Sequence, residues 1–218
     1  MQQPFNNNQP QGMQNFNSNT TAPVNMNRGA HELFDTHEVL SGMIGTLNNY
    51  LMFEQHIKDP ELMDILHRQR QFITDQYNIT VDCFKAGDDP SHPTATYQMN
   101  QSNEVLFGLT PSQPRKPNQD ISQLGDRCIS SLMMTCMKND ASCMTMAAAE
   151  STNPVVRRVL ADSIPNYLEM AYEIFLYQNK KGYYQVPQLN DQDMIQMMNS
   201  YAPLNGTPNI NQNPNMIQ

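Results

Sequence analysis

The sequence predicts an all-α protein built as an antiparallel bundle of four long helices. Three observations carry this expectation. Apolar residues recur at alternating steps of three and four in four separate stretches between residues 31 and 181. Asp59-Pro60 and Asn153-Pro154 punctuate the chain between the first and second, and the third and fourth, of these stretches. Between the middle two lie residues 86–118, where five prolines and two glycines exclude a long helix.

The first helix is predicted from about His31 to Lys58. Its seam reads Leu33, His37, Leu40, Ile44, Leu47, Leu51 and Glu54, widened by Phe34, Met43 and Tyr50. Asp59 then offers a cap and Pro60 a first helical position. The second helix runs to about Lys85 with the stripe Leu62, Ile65, Gln69, Phe72, Gln76, Ile79 and Cys83, and Gly87 ends it. In the proline-rich link, Val105-Leu106-Phe107 is apolar enough to pack onto the helices. The third helix is expected from near Asp120 to Glu150, with Ile121, Leu124, Cys128, Leu132, Cys136, Cys143 and Ala147 facing inward. Ser151-Thr152-Asn153-Pro154 is the next junction. The fourth helix carries Val156, Leu160, Ile164, Tyr167, Ala171, Ile174 and Gln178. Lys180-Lys181-Gly182 closes it with positive charge at the negative end of the dipole and a glycine stop. Pro165 is a misfit, since a mid-helix proline costs about 3 kcal/mol.

Link lengths select the topology. Two short links make each helix pair an antiparallel hairpin. The long middle link can run the roughly 38 Å length of a 25-residue helix. Short–long–short is the ferritin-like pattern with one long crossover between the second and third helices. A plain up-down bundle with a loose middle loop is the alternative.

Composition narrows function. A net charge of −8 and a charged fraction of 16% in 218 residues argue against a nucleic-acid binder, which needs clustered Lys and Arg. No apolar run approaches the roughly 20 residues of a membrane span, and no basic-then-apolar leader opens the chain, so synthesis in the cytosol is expected. The four cysteines, Cys83, Cys128, Cys136 and Cys143, are too sparse for a disulfide scaffold. The last three are spaced too far along one helix to bridge one another. Residues 1–29 and 188–218 are rich in Asn and Gln, and are expected to be polar and mostly disordered tails. As arms of an assembly they would be adhesive, and their Gln side chains would suit cross-linking to Lys180 or Lys181.

A ferritin-like bundle raises the question of metals. Di-metal bundles need inward carboxylates and Glu-x-x-His pairs on facing helices. His37 and Glu54 lie on the first seam. Asp64 and His67 form an Asp-x-x-His pair, but both point away from the stripe of Leu62, Ile65 and Gln69. The third helix offers Glu150 only at its end, with Asp126 and Asp140 elsewhere. The fourth offers Glu169 and Glu173 without a histidine. The favoured reading is that His37, Glu54, Gln69 and Gln76 hydrogen-bond one another inside the bundle. His31-Glu32 is not followed by the second histidine of a zinc-protease motif. The Cys- and Met-rich run from Cys128 to Met146 has ligands suited to cuprous ion, but both residue types are common core fillers. No phosphate-binding loop or nucleophile triad is identifiable. The expectation is therefore no catalytic, cofactor-binding or metal-ligating residue, and no cofactor.

The segment AAAESTNPVVRRVLADSIPNYLEMAYEIFLYQNKKGYYQVP resembles the C-terminal hairpin of the spore coat protein F (CotF) family. The resemblance rests on the Ala-rich helix end, the junction Glu150–Pro154, and Lys-Gly-Tyr-Tyr at 181–184. HELFDTHEVL and DPELMDILHRQ fit more loosely, so residues 30–187 are covered. The resemblance implies a coat F domain of endospore-forming bacteria, located in the spore coat, with a place inside the spore as the alternative. It implies no catalytic residues. The resulting expectation is a non-enzymatic structural or protective spore protein whose partners are other coat proteins or its own copies. The alternative is a metal-handling (iron, manganese or copper) or redox-active bundle.

Overall fold

The computed structural model describes residues 28–204. They are all-helical: α1 Ala30–Glu54, α2 Pro60–Ala86, α3 Asp126–Glu150, α4 Pro154–Lys180 and a short α5 Asp191–Met198, with a single 3-10 turn at Ile121–Gln123. Three of the ends have a clear local cause. Asp59 caps α2 by accepting from the Glu61 N–H at 2.9 Å, ahead of Pro60 at the first position. Gly87 terminates α2 in the left-handed region at φ 74°, its N–H returning to the Cys83 carbonyl. Asn153 caps α4 by accepting from the Val155 and Val156 N–H groups.

The four long helices pack around one core, with α1 beside α2 and α3, and α4 beside α2 and α3. Side-chain pairs give their directions. Glu32 meets Thr152 while the Lys58 backbone meets Asp126, so α1 and α3 are antiparallel. Gln76 meets Ser163 and Asp59 meets Tyr177, so α2 and α4 are antiparallel. The centre is filled by Met43, Tyr50, Leu62, Ile65, Ile73, Met133, Met137 and Tyr167, all inaccessible to solvent. Methionine's flexible chain suits such an irregular interior, and Met144 joins Met133 and Met137 there. These α3 methionines therefore serve the core.

Residues 87–125 travel the length of α4 before α3 begins. Up to the 3-10 turn they have no regular structure, so their backbone groups need partners, and α4 supplies several of them. Asn166 accepts from the Tyr97 N–H at 2.8 Å and donates to the Ala95 carbonyl. Asn179 accepts from the Leu106 N–H at 2.7 Å and donates to the Leu106 carbonyl. Beyond it, the Gly108 N–H bonds the Val186 carbonyl. Pro165 lies on the exposed side of α4, which continues unbroken through it.

Two predicted seams are turned by one residue. On α1 the buried positions are Glu32, Thr36, Val39, Met43, Thr46, Tyr50 and Phe53, each one before the expected Leu33, His37, Leu40, Ile44, Leu47, Leu51 and Glu54. On α3 they include Ile129, Met133, Met137 and Met144, each one after Cys128, Leu132, Cys136 and Cys143, while Ala147 is buried as expected. Both helices are apolar on more than one side, and their inward faces carry Glu32, Thr36, Thr46, Ser130 and Asp140. A search for the most apolar stripe selects the wrong face when the true one holds polar groups satisfied by other helices. The third helix also starts at Asp126, later than expected near Asp120, which instead caps the 3-10 turn. Ile121 is accordingly exposed. The first helix stops at Glu54, short of Lys58. Helix α5 lies in the stretch expected to be mostly disordered, capped by Asn190 and burying no residue. The expected tails at 1–27 and 205–218 fall outside the described residues.

Candidate functional site: the buried carboxylates

Among the described residues three carboxylates are buried, and each occupies a different level of the helix assembly. Toward the end holding the α1–α2 junction, Glu173 of α4 is fully buried. Its Oε1 accepts from Arg68 Nη2 at 2.7 Å and from the Asn100 N–H at 3.2 Å. Its Oε2 accepts from Gln69 Nε2 at 3.1 Å and from the Tyr97 hydroxyl. Gln69 in turn accepts from the Tyr50 hydroxyl at 2.7 Å and donates to the Met170 carbonyl. One carboxylate thus joins α1, α2, α4 and the long link. Burying its charge is tolerable because a guanidinium and three further donors surround it. Burial alone would lower the Arg68 pKa, but bonds to Glu173 and Asp64 outweigh this and raise it. Burial, reinforced by Glu173, pushes the Tyr97 hydroxyl well above its usual range, so it stays protonated, donating to Glu173 while accepting from Arg68 Nη1 at 2.8 Å. The open groove beside this cluster, about 380 Å³, is lined by Arg68, Gln71, Phe72, Asp75 and Tyr97.

At the end holding the α3–α4 junction, the fully buried Glu32 of α1 accepts from the Thr152 N–H and the Asn153 N–H, each at 2.7 Å, and from the Thr152 hydroxyl at 2.6 Å. A carboxylate there also suits the positive end of α4. Arg28 lies 3.6 Å from the other Glu32 oxygen and donates to the Phe84 carbonyl. Asn153 reaches the Gly87 carbonyl at 2.9 Å. The Thr-Asn-Pro junction and the Glu of HELFD are therefore two halves of one clasp.

The third carboxylate, Asp140 of α3, faces α1. Its Oδ2 accepts from Thr46 at 2.7 Å, and Gly42 provides room, since a Cβ there would come within 3.3 Å of Oδ1. Burial pushes its pKa up to about 6, with the Thr46 bond opposing. Burial also raises Cys136, despite a 3.8 Å contact from Asn49 Nδ2, and raises Cys143. Cys83 is fully buried and pushed up to about 11, principally by burial. The four thiols are unpaired.

The residues expected to form one interior network separate into two groups. Gln69 and Gln76 are buried, Gln76 donating to Ser163. His37 is exposed and Glu54 lies at the surface, where it bonds His67 at 2.9 Å. Both followed the misplaced α1 seam outward. Asp64 is also exposed and pairs with Arg68 at 2.8 Å. Glu150 is exposed and Glu169 is half-buried. Among the described residues, no three His, Cys, Asp or Glu side chains converge on a common point where a metal ion would sit. Sequence reasoning weighed Glu173 and Asp140 only as metal ligands, and missed Arg68, Tyr97 and Glu32. One signal was available: Asn166, Glu173 and Asn179 are polar residues seven and six positions apart, set among apolar neighbours in α4.

The comparisons with known proteins agree with this architecture. The Coat F domain profile matches residues 125–187, which span α3, α4 and the Lys-Gly-Tyr-Tyr ending. The chain is 56% identical over 178 residues to the spore coat protein F-like protein YhcQ of Bacillus subtilis (strain 168), covering 82% of each. Its fold is similar to the crystal structure of a putative spore coat protein, BH2358, from Bacillus halodurans C-125, with a TM-score of 0.55 at 17% identity, covering 75% of this chain and 96% of that one. The chain belongs to the spore coat protein F family.

Proposed function

We propose that this protein is a non-enzymatic structural or protective component that assembles into or onto the spore coat. Its location is the spore coat, as for its family. In this reading residues 30–187 form a ferritin-like four-helix bundle with residues 87–125 as the crossover, and 1–29 and 188–218 act as polar arms toward other coat proteins. The cyclic order α1–α2–α4–α3 with antiparallel neighbours supports that topology.

The observation that carries the proposal is the state of Glu173. It is a fully buried carboxylate on α4, the kind of inward acidic group a di-metal bundle would use as a ligand. Yet both its oxygens are taken by Arg68, Tyr97, Gln69 and Asn100. A guanidinium beside a carboxylate occupies the place and supplies the charge that a cation otherwise would. The group therefore acts as a latch holding the crossover to the bundle. The test pairs a fluorescent fusion in sporulating cells with metal analysis of protein purified without chelators. A ring on the forespore surface with substoichiometric metal is expected. Stoichiometric iron, manganese or copper, or a protein that stays diffuse throughout the mother cell, refutes it.

A further inference from the structure

The one-residue turn of α1 leaves a long apolar stripe facing solvent. Leu33, Ile44 and Leu51 are 40%, 45% and 49% exposed, and Leu40 and Leu47 are half-buried between them. With His37 they form an unbroken alternation of four and three steps, the spacing of a helix–helix seam. Helix α2 continues this surface. His67, which bonds Glu54 at the end of the stripe, lies in the series Met63, His67, Arg70, Thr74 and Tyr77 at the same spacing, and Met63 and Tyr77 are half-buried.

We propose that this α1–α2 face is the interface with a second copy of the chain, related by a two-fold axis crossing the middle of α1. The occupant follows from the symmetry of the stripe. Its step pattern reads the same in both directions. An antiparallel copy therefore sets Leu33 against the partner's Leu51, His37 against the partner's Leu47, and Leu40 against the partner's Ile44. Self-complementarity of this kind is what an isologous contact requires. Size agrees as well: a face one helix long and two helices wide covers roughly 38 by 20 Å, or about 750 Å². That is close to the roughly 800 Å² per partner of stable specific interfaces.

The test is sedimentation of the full chain. Wild type is expected as a dimer, and Ile44→Asp/Leu51→Asp as a monomer of unchanged helical signal, its dissociation constant raised roughly a hundredfold or more. Met146→Asp, on exposed α3 surface, should remain a dimer. Should the double Asp variant lose helicity, Leu33→Ser/Leu51→Ser gives the same readout more mildly. Amide exchange in the wild type, slowing at residues 33–51 as concentration rises, supports the interface without any variant. A wild type monomeric up to about 100 µM, where even a weak complex registers, overturns the proposal. So does a dimer indifferent to substitutions on this face. A monomer whose stripe is protected at every concentration also overturns it and assigns the face to the chain's own tails.

Discussion

Glu173→Gln tests the latch most directly, because it keeps shape and removes only charge and two acceptor sites. The carboxylate accepts four hydrogen bonds, of which the one from Arg68 is charged at both ends. An amide can present its oxygen to one pair of donors only. Its NH2 must then confront either Arg68 and the Asn100 N–H, or Gln69 and Tyr97. Breaking a buried ion pair costs about 3–5 kcal/mol when the remaining charge is stranded. Here Arg68 is a quarter exposed and retains Asp64 at 2.8 Å, so a cost of about 2–4 kcal/mol is expected. In a chain of this size that lowers Tm by roughly 6–12 °C. Urea unfolding followed by helical circular dichroism measures the free energy. Hydrogen exchange measures the second consequence, loss of protection at Tyr97 and Asn100 as the link loosens from α4. Comparison with Tyr97→Phe and the double variant isolates the coupling. A Glu173→Gln protein within about 0.5 kcal/mol of wild type, or with link protection unchanged, would refute the assignment of Glu173 as the latch.

Other expectations follow from the same geometry. Asp140 has a folded pKa of about 6, above its unfolded value, so folding favours its protonated form. Its contribution is full below about pH 4 and lost as pH rises through 6, amounting to about 2–3 kcal/mol. Asp140→Asn, still able to accept from Thr46, should therefore be more stable than wild type at pH 7 but not at pH 4, as read by paired denaturation curves. An unchanged difference across that range would exclude the effect. Glu32→Ala leaves three donors at the α3–α4 junction without their acceptor and should cost about 3 kcal/mol by urea titration. Gly87→Ala forces a side chain onto φ 74°, with its Cβ 2.5 Å from Arg28, and should lower stability by about 1–2 kcal/mol. Thiol labelling of the folded protein should leave Cys83 unmodified near neutral pH, given its burial and a pKa of about 11. Labelling as fast as in denatured protein would contradict its placement.

Local chemistry was sufficient for the helix ends that carry a cap, a proline or a glycine stop. Asp59-Pro60, Asn153-Pro154 and Gly87 act through bonds within a few residues of themselves, and those bonds are written in the order of residues. The inward faces of α2 and α4 were legible too, because their polar exceptions, Gln69, Gln76 and Gln178, fall on stripes that are otherwise apolar. The family was legible in the α3–α4 junction and the Lys-Gly-Tyr-Tyr ending. What periodicity did not determine was the facing of α1 and α3. Glu32, Thr46 and Asp140 are buried because Thr152, Asn153 and each other lie opposite them, 94 to 121 residues away along the chain. Burial of a polar group depends on a partner, and the partner's position is a property of the packed helices. The Glu173 latch is the same case: its four donors come from α2 and from a proline-rich link whose course along α4 only the tertiary structure defines. Sequence alone determined the helix ends marked by Asp59-Pro60, Gly87 and Asn153-Pro154, and the family to which the chain belongs. Tertiary packing decided which side of α1 faces the core, and so which apolar stripe it leaves exposed.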